Sequence, residues 1–192
     1  MTLQRIVRTY GTWTARPLVA DDLLEFHAAR MLLLLRHCGT RNRIEGLTKL
    51  AKLDFFVRYP TFFNRVASPQ VQGENAGEGS RQPESVMVRH HYGPWDHRYY
   101  QVLGYLEGCG LVTVSLGYHG YLIALTNGGI NSADALTAEE PFGPVVDHMR
   151  QVKKALGRRS GSALKRLVYA QFDQEVAALR RRCVSHSPFW KS

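Results

Sequence analysis

Tyr92-Gly93-Pro94-Trp95-Asp96-His97-Arg98-Tyr99-Tyr100-Gln101-Val102-Leu103-Gly104-Tyr105-Leu106-Glu107-Gly108-Cys109-Gly110-Leu111-Val112-Thr113-Val114 is the stretch on which the fold turns. Asp96 is placed to cap a helix, its carboxylate accepting from the free amides of the first turn. Tyr99, Val102, Leu103 and Leu106 recur at helical spacing and make one apolar face, leaving His97, Arg98, Gln101 and Tyr105 on the other. Gly108 and Gly110 can take the left-handed geometry that stops a helix. Leu111 to Val114 has the β-branched character of a strand. Gly117-Tyr118-His119-Gly120 supplies the turn of a hairpin, and Tyr121 to Leu125 reads as the returning strand. Helix, strand, tight turn, strand is the closing half of a winged helix-turn-helix. The expected fold class is therefore α+β, mostly α: a winged helix-turn-helix with additional C-terminal helices.

Upstream, residues 1–19 read as irregular. Asp21 and Asp22 stand where a helix should begin, complementing its dipole, and that helix runs to about His37 with Gly39 as its end. A second helix is expected from Arg43 to Arg58, with Ile44, Leu47, Leu50, Ala51 and Phe55 inside. Lys49 and Lys52 would face out, Glu45 and Lys49 forming an i,i+4 pair. Asp54, between Leu53 and Phe55, is expected to pair with Arg58 one turn on. Pro60 starts a short segment, Thr61 to Val66. Residues 68–84 are low in complexity and poor in apolar side chains, and read as a mobile insertion.

Downstream, Thr126 or Asn127 is expected to cap a helix ending near Leu136. Pro141 and Pro144 mark a break. Val145, Val146, Met149, Val152 and Leu156 then recur at helical spacing. Residues 157–162 form a basic linker. A last amphipathic helix, about Ser162 to Arg182, carries Leu164, Leu167, Val168, Gln171, Phe172, Val176 and Leu179 on one side. The division expected is an irregular segment 1–19, a winged domain 20–137 with its insertion 68–84, and a helical extension 141–184.

The chain has 192 residues and a net charge of +9, but the charge is uneven. Residues 1–66 carry +6, residues 67–148 carry −6 and residues 149–192 carry +9. The winged half is thus acidic, whereas a DNA reader draws much of its affinity from lysine and arginine on phosphates. No apolar run approaches the ~20 residues of a membrane span, and no signal-peptide core precedes residue 20, so a cytoplasmic protein without a membrane partner is expected. Cys38, Cys109 and Cys183 are scattered, with no CxxC pair, and are expected to be reduced thiols.

Chemistry is hard to find. Adjacent His90 and His91 in an extended segment point to opposite faces, and Cys183 with His186 lacks a second ligand pair, so neither metal nor cofactor is expected. There is no phosphate-binding Gly-x-x-x-x-Gly-Lys loop and no nucleophile elbow, and Asp96 beside His97 is not a triad. An enzyme is not expected. Tyr92 and Trp95 read as anchors of the following helix.

Leu50-Ala51-Lys52-Leu53-Asp54-Phe55-Phe56-Val57-Arg58-Tyr59-Pro60, followed by Tyr92-Gly93-Pro94-Trp95-Asp96-His97-Arg98-Tyr99-Tyr100, resembles the small middle component of bacterial ABC-three-component defence systems. The Lamassu antiphage system is the best-known member of that group. The resemblance covers residues 20–137. It implies a non-catalytic adaptor linking an SMC- or Rad50-like ATPase to an effector such as a nuclease, with double-stranded DNA as an additional contact. Lys49, Lys52, His97, Arg98, Gln101, His119, Arg158, Arg159, Lys165, Arg166, Arg180, Arg181 and Arg182 are the side chains expected to meet nucleic acid or partner. The competing expectation is a winged-helix transcriptional repressor, dimerised through its last helix and reading an operator with Arg98.

Overall fold

The computed structural model describes residues 23–67, 88–90, 93–95, 98–117 and 120–171. Helix α1, Leu24–His37, starts after an extended Leu23 that offers no side-chain cap. The carboxylates of Asp21 and Asp22 lie outside the described residues. Ala28 and Met31 to Leu35 are all buried, so α1 is apolar over more than one stripe and forms the centre of the molecule.

The segment after α1 departs from expectation. Arg43–Glu45 is not the first turn of a helix but a strand, β1, with only Ile44 turned inward. Arg41 and Asn42 adopt positive φ (52° and 59°) in the turn before it, and Gly46 has φ 88°, a conformation that favours glycine. That kink separates β1 from helix α2, Leu47–Arg58. Periodicity alone missed the strand because three residues are too few to declare a period. Helix α3, Pro60–Ala67, follows where Pro60 led us to expect a new segment.

Strands β2, Val88–His90, and β3, Gly93–Trp95, form a small antiparallel pair, with His90 opposite Gly93 and Val88 opposite Trp95. Gly93-Pro94, a pair that as a sequence signals a turn, therefore lies in a strand. Helix α4, Arg98–Gly108, buries Tyr99, Val102, Leu103 and Leu106, the face read from the sequence. It leads to β4, Val112–Gly117, and β5, Gly120–Leu125, an antiparallel hairpin in the expected place. Strand β5 also pairs with β1, giving a three-stranded sheet of order β1-β5-β4. The fold is α+β and mostly helical.

Thr126 caps helix α5, Asn127–Ala138, its Oγ1 accepting from the Gly129 amide at 3.0 Å. Residue 129 packs so close to β4 that a Cβ would collide with the Leu111 carbonyl. A short 3₁₀ turn, Glu140–Phe142, spans the Pro141 break. Helix α6, Gly143–Leu156, then buries Val146, Met149, Val152 and Leu156. Residues 161–171 form the described part of the last helix, α7, with Leu164 and Val168 inside. Its start packs on the start of α2, where a Cβ on residue 161 would sit 3.1 Å from the Lys49 nitrogen. Helix α1 touches α4, α5 and α6, so one core joins the sheet half to the helical extension.

Candidate interaction surfaces

A polar knot inside the core fixes the position of α4. Asp54, fully buried on α2, accepts from Arg30 Nε of α1 at 2.9 Å and from Tyr99 Oη of α4 at 2.7 Å. Its carboxylate thus ties three helices together, in place of the local Arg58 pair expected from the sequence. The long-range partners win because α2 is buried around most of its circumference, from Leu50 to Arg58. Burial and the Asp54 carboxylate push the Tyr99 phenol well above its ordinary value, so it stays a donor. Beside it, Arg98 Nη1 donates to His27 Nε2 at 2.7 Å. A guanidinium has only donors, so that contact makes Nε2 the acceptor nitrogen of His27.

The outer face of α4 and the hairpin tip is built differently. Tyr100 is 62% exposed, and Gln101 and Tyr105 are also at the surface. On the hairpin, Leu116 faces Tyr121 across the strands. Val112 and Ile123, on the same faces of β4 and β5, are buried, but Leu116 is 82% exposed and Tyr121 47%. The apolar face of the hairpin therefore continues past the core that it covers. Glu107 adds a carboxylate here, accepting from the Val114 amide at 3.0 Å on β4, an edge strand of this sheet.

A third surface is basic. Arg36, at the end of α1, grips Asp134 of α5 through Nε at 2.7 Å and Nη2 at 3.1 Å, and donates from Nη1 to Asn42 at 3.0 Å. The guanidinium holds the Asp134 carboxyl below its ordinary value. Lys153 of α6 donates to the Gly39 carbonyl, and Lys49 of α2 donates to the Gly157 carbonyl at 2.9 Å. These bonds seat the C-terminal half of α6 against the turn after α1 and the start of α2. His37 is held below its ordinary value first by burial, then by Arg150, Arg36 and Lys153. Lys49 is likewise lowered by burial and by Lys153. Positive charge from three helices converges here.

The expected contact residues divide accordingly. Arg158, Arg159 and Arg166 are exposed, as is Gln101. Lys165 is half-buried, 5.9 Å from the Tyr169 ring centre. Lys49 is half-buried with its ammonium on a carbonyl. Lys52 overturns its expectation: it is fully buried, not on an outer face, because the helix it sits on has almost no outer face. Burial and the charge of Lys165 bring its ammonium down to about 8. Arg98 is half-buried and turned toward His27. His97, His119, Arg180, Arg181 and Arg182 lie outside the described residues. Sequence reasoning missed Arg30, Asp54 and Tyr99 as one unit, and it missed Leu116 with Tyr121. The signal for the first was an aspartate in an apolar run; for the second, a hairpin longer than its core.

An apolar cleft of about 290 Å³ lies between α1 and the start of α6, walled by Phe26, Arg30, Leu33, Pro141, Phe142 and Val145. It is at the small end for a ligand site. Among the described residues no group of three or more His, Cys, Asp or Glu could hold a metal. No described helix is long and apolar enough to cross a membrane. Cys38 is buried and its thiol is pushed up to about 12, while Cys109 is exposed. No protein-family model, curated protein or solved structure matches the chain.

Proposed function

We propose that this chain is a winged-helix scaffold acting as a non-catalytic adaptor in an antiphage defence complex. It would link an SMC- or Rad50-like ATPase to an effector such as a nuclease. The succession α1, β1, α2, α4, β4, β5 with sheet order β1-β5-β4 supports the winged-helix assignment, with α3 and the β2–β3 pair inserted before α4. The observation that carries the adaptor reading is the character of the α4–hairpin face. Where a DNA reader places arginines, this face offers Tyr100, Gln101, Tyr105, Leu116 and Tyr121. Aromatic and aliphatic side chains in that position suit a protein partner, since such residues carry most interface energy.

Co-expression with the neighbouring genes tests this reading. A large coiled-coil ATPase should co-purify with the chain, and replacing Leu116 and Tyr121 by serine should release one partner. Isolation of the chain alone from such co-expression sinks the adaptor. The repressor alternative relies on Arg98 entering a major groove, and the contact of Arg98 with His27 counts against it. An electrophoretic shift confined to one operator and lost on Arg98→Ala would reverse that preference.

A further inference from the structure

We propose that the basic surface at the far end of α1 binds the phosphate backbone of double-stranded DNA without reading sequence. It deepens the double-stranded DNA contact that the family resemblance implies, by placing that contact away from α4 and the hairpin, and it does not depend on assembly with an ATPase. The arrangement begins with helical spacing. Arg150, Lys153, Lys154 and Gly157 fall at i, i+3, i+4 and i+7, a stripe beside the buried row Val146, Met149, Val152, Leu156. The stripe continues into Arg158. Lys153 on the Gly39 carbonyl sets it beside the turn that carries Arg41 and leads into Arg43 of β1, both exposed.

Size and composition point to a duplex. Arg150 to Arg158 spans about 12 Å at the helical rise, over which B-DNA presents roughly seven phosphate charges. Among the described residues, the carboxylates that meet this surface are Asp134, taken by Arg36, Asp147, taken by Arg150 at 2.8 Å, and Glu45, whose charge acts on Lys49. Single-stranded nucleic acid is gripped by aromatic platforms on which bases stack. Among the described residues the exposed large aromatics lie elsewhere, at Tyr100, Tyr105 and Tyr121. His27, beside Arg98 of α4, is ten residues from His37 along α1, about 15 Å at the helical rise. The DNA surface is thus separate from the face that a winged helix ordinarily turns to a groove.

The test uses the purified full chain and a 20-base-pair duplex of arbitrary sequence, followed by fluorescence anisotropy across a salt series. Wild type should bind with an affinity that falls linearly in log–log salt. Arg41→Ala/Lys154→Ala/Arg158→Ala should make that slope shallower by about 2 to 3, one phosphate contact per side chain. Gln101→Ala/Tyr105→Ala on α4 should leave both affinity and slope unchanged. All five side chains are exposed, and matching thermal melts would confirm that the variants fold. The proposal is overturned if the triple variant keeps wild-type binding and slope, if the α4 variant loses binding, or if single-stranded DNA or RNA is preferred. It is also overturned if the triple variant keeps DNA but loses a co-purifying acidic protein. Failure to assemble with an ATPase would count against the adaptor alone, because this assay contains none.

Discussion

Helix α1 carries two arginine–aspartate pairs six residues apart, and they differ in setting rather than chemistry. Arg30 meets Asp54 with 6% and 0% of the side chains exposed; Arg36 meets Asp134 with 34% and 48% exposed. The second has the better geometry, a two-pronged grip. The first has the larger consequence, because neither partner can turn to water if the other is removed. One pair specifies how three helices dock. The other trims the charge of a surface that keeps many basic groups. Contact geometry therefore says little about structural weight until burial is known.

The sharpest way to break the comparison is at Asp54. Asp54→Ala leaves the Arg30 guanidinium buried without its carboxylate and the Tyr99 hydroxyl without its acceptor. A loss of about 3–5 kcal/mol is expected, read as a lower urea midpoint at unchanged m-value. For a protein of this size that is a large part of total stability. A loss below about 1 kcal/mol would mean that the core relaxes around the charge and that the knot is not what fixes α4.

Lys52 sharpens the contrast from the other side, as a buried cation brought down from its ordinary 10.5 to about 8. Between those values the unfolded chain binds more protons than the folded one, so stability should rise with pH from about 8 toward 10.5. The full gain is about 3 kcal/mol. Cys38 opposes it above about pH 9, where an unfolded thiol ionises and the buried one, pushed up to about 12, does not, and Tyr99 opposes it above pH 10 in the same way. The clean window is thus pH 8 to 9. Lys52→Met should flatten the rise in the urea midpoint across that window; an unchanged rise would assign it to another group.

Tyr99→Phe removes one hydrogen bond to Asp54 and keeps Arg30. A loss of about 2 kcal/mol is expected, in the range for a bond to a charged acceptor. The high-pH decline should become shallower with it, keeping only the part that the buried Cys38 thiol supplies, which a melt series above pH 10 would reveal.

How far the sequence reached follows the same division. Helical and strand periods placed α4, β4, β5 and α6, because each is an amphipathic element whose buried face recurs at fixed spacing, and of the two caps expected, Thr126 or Asn127, Thr126 is the one that caps α5. Strand β1 was not legible: Arg43–Glu45 has one inward residue, and its strand state comes from pairing with β5, distant in sequence. The partners of Asp54 were hidden for the same reason, since Arg30 and Tyr99 are 24 and 45 residues away. Lys52 misled because its charge suggested water while its helix is enclosed on nearly every side. The charge counts did signal basic regions on either side of the acidic stretch 67–148. Which basic residues converge required the bonds from Lys153 to Gly39 and from Lys49 to Gly157.

The smallest effect belongs to the exposed pair. Asp134→Ala should leave the urea midpoint at neutral pH nearly where it was, because Arg36 is already part-solvated and keeps Asn42 as a partner. Any residual loss should vanish in high salt, which screens exposed charges. Its pH signature has a definite sign. The Asp134 carboxyl is held below its ordinary 3.8, so whatever stability it supplies is present above that value and lost as pH falls through the folded one. Wild type and variant should therefore converge in acid. The same change also uncovers Arg36 at the edge of the basic surface, so duplex DNA should bind more tightly while stability hardly moves. If Asp134→Ala weakened DNA binding instead, Arg36 would need Asp134 to be aimed, and the exposed pair would prove as constrained as the buried one.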